Sequence, residues 1–235
     1  MKLLLVTPTH REAAALGSVS LVCGPGSGAG AVVDAYLREH PVDAVLLAGL
    51  CGGLDPSLAP GSVILGRRAI TRDDAELQPD LVGFEAARRA LRANGMPFIS
   101  SLLLSVAEPV GTQHGKLELW NRFGAAGVDM ETAAVAKAAC ARGVRWLALR
   151  AVLDPAGMTL PSAVRDWQRE GDERRIARRL ARSPRDWPAT LRLALELRRA
   201  VAALRQSVPP VVQALSSVVA VDPSDAGASR LAIHL

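Results

Sequence analysis

Two acidic motifs stand at the ends of apolar segments. Val128-Asp129-Met130-Glu131 opens one such segment, and Arg150-Ala151-Val152-Leu153-Asp154 closes another just before Pro155. Carboxylates at two element ends on one side of a sheet can flank a small ligand. Taken singly, Glu131 also reads as a first-turn acid favoured by the helix dipole, and Asp154 as a turn former ahead of proline. Two glycine clusters accompany them. The first, Gly24-Pro25-Gly26-Ser27-Gly28-Ala29-Gly30, fits the Gly-x-Gly-x-x-Gly/Ala fingerprint, in which bare backbone amides and a helix N-terminus approach an anion or a sugar. The acidic residue that fingerprint wants at the end of the next strand is missing, since Ala48-Gly49 stands there and Asp43 lies at the opposite end. A nicotinamide or flavin cofactor is therefore not expected, and a structural tight turn remains the alternative. The second cluster, Gly49-Leu50-Cys51-Gly52-Gly53, sits where open α/β sheets bind ligands. Close helix–strand packing explains it equally well on spacing alone.

The elements that must position these residues follow from the hydrophobic pattern. Lys2 to Val6, Ser18 to Cys23, Val42 to Ala48, Ser62 to Leu65, Phe98 to Ser105 and Arg145 to Leu153 are compact apolar runs that read as strands, with Gly49 to Gly53 as the turn ending the third. Helical spacing marks Ala31 to Glu39, Pro79 to Asn94 and Glu131 to Arg142, and Gln113 to Arg122 is a helix or long loop. Strands alternating with helices predict an α/β fold with a largely parallel sheet. Beyond Pro161 the pattern is helical: Asp172 to Arg182, a break at Ser183-Pro184, then Asp186 to Gln206, all expected to cover the sheet. The expected organisation is one domain over 1–206, with basic C-terminal helices over 165–206. Residues 207–235 form a tail, mobile or docked at an interface.

Composition narrows the class. The chain has 235 residues, 49% hydrophobic and 22% charged, enough for a substantial core, which excludes disorder and a disulfide miniprotein. Cys23, Cys51 and Cys140 are odd in number and none is spaced Cys-x-x-Cys, so a reduced, metal-free protein is expected. The apolar run Leu3 to Val6 is too short for an export signal, which implies a cytoplasmic protein. Positive charge is concentrated from Arg165 to Arg205, where 12 arginines face 6 acidic residues. With little aromatic interleaving and no zinc or helix-turn-helix signature, this stripe reads as solvated helix faces and not as a nucleic-acid site.

The motifs together resemble a known superfamily. Gly49-x-x-Gly52-Gly53 with Pro60-Gly61-Ser62-Val63, then Asp129-Met130-Glu131-Thr132-Ala133-Ala134, then Leu149-Arg150-Ala151-Val152-Leu153-Asp154 are similar to the purine nucleoside phosphorylase and methylthioadenosine/adenosylhomocysteine nucleosidase superfamily. The likeness spans residues 1 to about 155. Glu12 stands where the nucleosidases keep an essential glutamate, and Cys23-Gly24-Pro25-Gly26 is similar to their Ser-Gly-Ile-Gly turn. The resemblance implies a three-layer fold with a central mixed, largely parallel sheet flanked by helices. The short interval between Glu12 and Cys23, and the run Asp154-Pro155-Ala156-Gly157-Met158-Thr159-Leu160-Pro161, most resemble the hopanoid-associated phosphorylase branch, thought to remove adenine from adenosylhopane.

That resemblance implies roles. Asp154 would donate to purine N7, Glu131 would accept from a ribose hydroxyl and stabilise the cationic sugar, Met130 would floor the sugar, and Glu12 would be the base for an attacking water. Gly24, Gly26, Gly49, Gly52 and Gly53 would line the substrate. Inorganic phosphate, as a co-substrate, is the alternative nucleophile, with no cofactor and no metal expected. The chain departs from the family pattern in having no arginine between Glu12 and Tyr36, in Leu50 where a small polar residue commonly faces ribose, and in Leu153 where a serine often precedes the acid. Arg150 is expected to be structural. The expected partners are a nucleoside or nucleoside-lipid and a second copy of the chain, as homodimer or higher oligomer. The expected location is cytoplasmic with peripheral contact to the inner membrane, and the rival readings are a methylthioadenosine/adenosylhomocysteine nucleosidase and a non-catalytic nucleoside-binding protein.

Overall fold

The computed structural model describes residues 2–73, 75–160 and 187–218. In chain order the elements are β1 (Leu3–Thr7), α1 (His10–Leu16), β2 (Leu21–Val22), α2 (Ala29–Glu39), β3 (Ala44–Gly53), β4 (Val63–Thr71), β5 (Glu76–Leu77), α3 (Leu81–Ala93), β6 (Phe98–Ser105), α4 (Gln113–Phe123), β7 (Gly127–Asp129), α5 (Thr132–Ala141), β8 (Arg145–Asp154) and α6 (Trp187–Val218). Local chemistry sets the starts of several helices. The side chains of Thr9, Asp80 and Thr112 accept backbone amides of the first turns of α1, α3 and α4, as good N-caps do.

The strands form one mixed sheet, mostly parallel, in the order β2-β1-β3-β7-β6-β4-β5, with β8 pairing both β3 and β4. Those pairings close β3, β7, β6, β4 and β8 into a ring, to which β1 and β2 add on one side and β5 on the other. Alternation along β3 divides the core. Val45 and Leu47 pack with Val33 of α2 and Val135 and Ala139 of α5, whereas Leu46 and Ala48 pack with Phe84 and Leu91 of α3 and Leu204 and Val211 of α6. This is helix, sheet, helix: the three-layer α/β arrangement expected. A third cluster, built on Leu54, Leu104, Leu119 and Val128, seats α4 beside the carboxyl end of the sheet.

Two expectations are corrected. Gly49 to Gly53 do not turn; they continue β3, held on one edge by β8 from Gly49↔Arg150 to Gly52↔Asp154 and on the other by β7 at Gly52 and Gly53. The helix expected to stop at Gln206 runs to Val218 through Pro209 and Pro210, so 207–218 belong to α6 and not to a tail. Interior prolines cost about 3 kcal/mol. Against this, Val208, Val211 and Leu215 extend the buried stripe of Ala200 and Leu204, each large side chain gaining about 1.5–3 kcal/mol on burial. The helix expected over Asp172–Arg182, most of the basic stripe and the end of the expected tail lie outside the described residues. Among those described, no helix is long and apolar enough to cross a membrane.

Candidate active site

The carboxyl ends of β3 and β8, the start of α5 and the first turn of α1 meet at one place. Glu12 is buried there. Its Oε1 accepts the Leu50 amide at 2.7 Å and its Oε2 accepts the Thr9 hydroxyl at 2.6 Å. Burial pushes the Glu12 carboxyl up, and the Thr9 hydroxyl, the Leu50 amide and the Arg150 charge pull it back down. Gly49 makes this approach feasible, since a Cβ there would lie 2.6 Å from Arg150 Nη1 and 2.8 Å from Glu12 Oε1.

Arg150 is wholly buried and organises the next layer. Its Nη2 meets Asp129 Oδ2 at 2.8 Å, Thr132 Oγ1 at 3.0 Å and Glu131 Oε2 at 3.3 Å. Asp129 is itself fixed by the Ser105 hydroxyl at 2.8 Å, by the Thr132 hydroxyl and by the Thr132 amide at 3.1 Å. Burial works against the guanidinium's charge, but Asp129, Glu131 and Glu12 around it raise its pKa above the usual arginine range. Its Nη1 is buried and has no hydrogen-bond partner among the described residues. Glu131 spans the gap between Arg150 and the glycine turn, with Oε1 accepting the Gly26 amide at 2.9 Å. Burial lifts the Glu131 carboxyl to about 7 despite the opposing pull of Arg150. Met130 also reaches the turn, its Cε 3.7 Å from where a Gly26 Cβ would stand.

Asp154 ends β8 next to Gly52, whose Cβ would lie 3.4 Å from its Oδ2. That oxygen carries an ion pair with Lys116 Nζ at 2.5 Å. Burial pushes Asp154 up to about 6, against the lowering charge and hydrogen bond of Lys116.

The structure thus brings together Glu12, Gly49, Arg150, Glu131, Gly26 and Met130, with Asp154 four residues further along β8 and Gly52 and Gly53 three and four residues further along β3. Gly24 has no such neighbour: nothing lies within 4 Å of where its Cβ would be. The Gly26 amide, expected to face substrate, is engaged by the chain's own carboxylate. Arg150 pairs at the sheet end, as expected. Lys116 was missed, because only the tertiary fold carries α4 to the end of β8. A signal existed in its being one of the few lysines in a chain that otherwise uses arginine. Cys23 and Cys51 are buried thiols, and burial pushes Cys23 up to about 12, which removes it as a nucleophile. No group of three or more metal-ligating side chains comes together among the described residues.

Comparison with known proteins places this geometry. Residues 12–183 match the family model described as the phosphorylase superfamily. The chain belongs to the phosphorylase superfamily. It is 30% identical over 194 residues to futalosine hydrolase of Thermus thermophilus, a match covering 66% of this chain and 84% of that one. The fold superposes on the 5′-methylthioadenosine/S-adenosylhomocysteine nucleosidase of Neisseria meningitidis, solved with methylthio-immucillin-A, with TM-score 0.69 and 20% identity over 90% of this chain and 98% of that one. The native futalosine hydrolase of Helicobacter pylori gives TM-score 0.66 and 13% identity, covering 91% and 98%. Within the phosphorylase superfamily, this chain is an enzyme of the nucleosidase or phosphorylase kind.

Proposed function

We propose that this enzyme hydrolyses the N-ribosidic bond of an adenosine-type nucleoside, releasing adenine, and that adenosylhopane is its substrate. The observation that carries the reaction class is the gathering of Glu12, Glu131 and Arg150 beside β3, with Asp154 at the carboxyl end of the strand that carries Arg150. Breaking the bond to the purine leaves positive charge on the sugar and an electron pair on the base. Asp154 in its acid form gives its proton to N7 as that pair arrives, and Glu131 accepts from a ribose hydroxyl and stabilises the cationic sugar. A water beside Glu12 attacks the anomeric carbon and passes its proton to Glu12. Both protons then re-equilibrate with solvent. Water suits the place better than phosphate, since the Arg150 guanidinium is buried and paired with the chain's own carboxylates and the Gly26 amide is already engaged.

An apolar 5′ group is supported by half-buried Leu50 and Leu153 toward the carboxyl ends of β3 and β8. The two buried cations of the site, Lys116 and Arg150, are matched to the chain's own carboxylates and offer little to a charged substituent. The similarity to a futalosine hydrolase favours a second reading, in which futalosine is the substrate. The arginine-rich segment 165–205 would serve a homodimer that touches an anionic membrane surface. The deciding assay incubates the purified enzyme with adenosylhopane, methylthioadenosine and futalosine, with and without phosphate, and follows free base by chromatography. Release from adenosylhopane, independent of phosphate and lowered about 10²–10⁴-fold in Asp154→Asn, is the expected result. Release from futalosine alone replaces the substrate, a strict need for phosphate replaces the nucleophile, and no release from any of the three defeats the reading.

A further inference from the structure

Lys116 is fully buried and surrounded by four oxygens. Besides Asp154 Oδ2 at 2.5 Å, its Nζ donates to the backbone carbonyls of Asp154 at 3.1 Å, Pro155 at 3.0 Å and Met158 at 3.1 Å. An ammonium has three hydrogens to share among these acceptors, and its compact, tetrahedral shape reaches all of them where a planar guanidinium would not. The carbonyls belong to the last residue of β8 and to the segment that follows it, so one side chain on α4 fixes both the carboxylate and the turn beyond it. Asp154 Oδ1 receives no side-chain donor among the described residues, which leaves that oxygen for a ligand.

We propose that Lys116 is a positioning residue that holds Asp154 as an aimed carboxylate in the empty enzyme, so that Asp154 takes up its proton from solvent as a purine arrives. The proposal rests on the assignment of Asp154 as the leaving-group acid. An ion-paired carboxylate cannot donate a proton it does not hold. A purine N7 placed against Oδ1 favours the protonated acid, because an acceptor facing a carboxylate is repelled until a proton stands between them. Among the described residues, the charged and titratable groups that face Asp154 come from three elements. Lys116 of α4 favours the ionised form and Glu196 of α6 opposes it, while Cys51 of β3 is a buried thiol whose own ionisation Asp154 disfavours. Glu196 is partly offset by Arg192, 3.0 Å from its Oε1. Lys116 is thus the favouring charge among the side chains at this carboxylate, and its removal shifts Asp154 toward the acid form.

The test begins with the wild-type protein and 9-methyladenine as probe, because its substituted N9 keeps N7 a pure acceptor, as in a nucleoside. Calorimetric titrations at a pH of about 7.5, in buffers of different ionisation enthalpy, should show proton uptake approaching one per 9-methyladenine bound. Lys116→Met should take up markedly less, since its Asp154 is already protonated, and Lys116→Arg should stay nearer the wild type. On the nucleoside that wild type cleaves, the alkaline limb of kcat/KM should move up by about one pH unit in Lys116→Met, with a fall in kcat on its plateau as the aim is lost. A purely structural lysine would lower activity and leave the limb in place. The proposal is overturned if wild type takes up no proton, or if a folded Lys116→Met matches wild type in both uptake and limb. Should Lys116→Met fail to fold, wild-type uptake decides alone. Wild-type cleavage is scored first, so loss of the enzymatic reading shows itself before any Lys116 variant is made.

Discussion

Glu131 titrates near its ordinary 4.5 in an unfolded chain and near 7 when folded, because burial outweighs the help of Arg150. The folded state therefore holds this proton more tightly, and the stability it contributes is complete below about 4.5 and lost as pH rises through 7. Glu131→Gln keeps an acceptor for the Gly26 amide and has no proton to lose. Thermal melts at both ends of that window should show the variant gaining on wild type as pH rises, by on the order of a few kcal/mol; a constant gap would refute the sign. Arg150→Met should act in the opposite sense, leaving Asp129 and Glu131 buried without their cation at a cost of about 3–5 kcal/mol in denaturant unfolding. Glu12, Glu131 and Asp154 were legible because each sits in or beside a motif at an element end. Lys116 and the open nitrogen of Arg150 were not, since their meaning lies in distances between segments far apart in the chain.

Close packing of α2 against α5 depends on a bare Cα. A Cβ at Gly30 would stand 2.7 Å from the Ala134 carbonyl oxygen, a backbone atom within α5 that cannot swing aside. Gly30→Ala should cost about 1–3 kcal/mol in a denaturant midpoint and loosen the Gly26–Glu131 contact, seen as a lower kcat/KM. Gly49→Ala meets Arg150 and Glu12 instead, so its loss should fall on catalysis in the same assay. The strands at Phe98–Ser105 and Arg145–Asp154 and the helices α2 and α5 were readable within a residue or two, because apolar period and bounding glycines agree there. The glycines of β3 misled, since Gly in series signals a turn unless neighbouring strands occupy both edges. Pro209 and Pro210 misled for the same kind of reason: a local breaker was overruled by a stripe of burial that only the packed molecule reveals.

At the scale of the whole molecule, the sheet separates chemistry from support. Leu204 of α6 packs against Leu147 and Leu149 on the face covered by α3, in the middle of the buried stripe. Leu204→Ala should lower unfolding free energy by about 2–5 kcal/mol while kcat/KM of the folded fraction stays near wild type; a large catalytic loss at unchanged stability would mean that α6 reaches the site through this residue. The ring of strands is closed by β8, which joins β3 on one side and β4 on the other. A ribosome that has released everything through α5 therefore presents a nascent chain in which β3 and β4 each wait with an open edge, a template for pairing with the wrong neighbour. Arg150 and Asp154 arrive on the strand that seals that gap, so no shorter nascent chain carries the full set of charges, and the newborn protein becomes competent only after β8 has emerged.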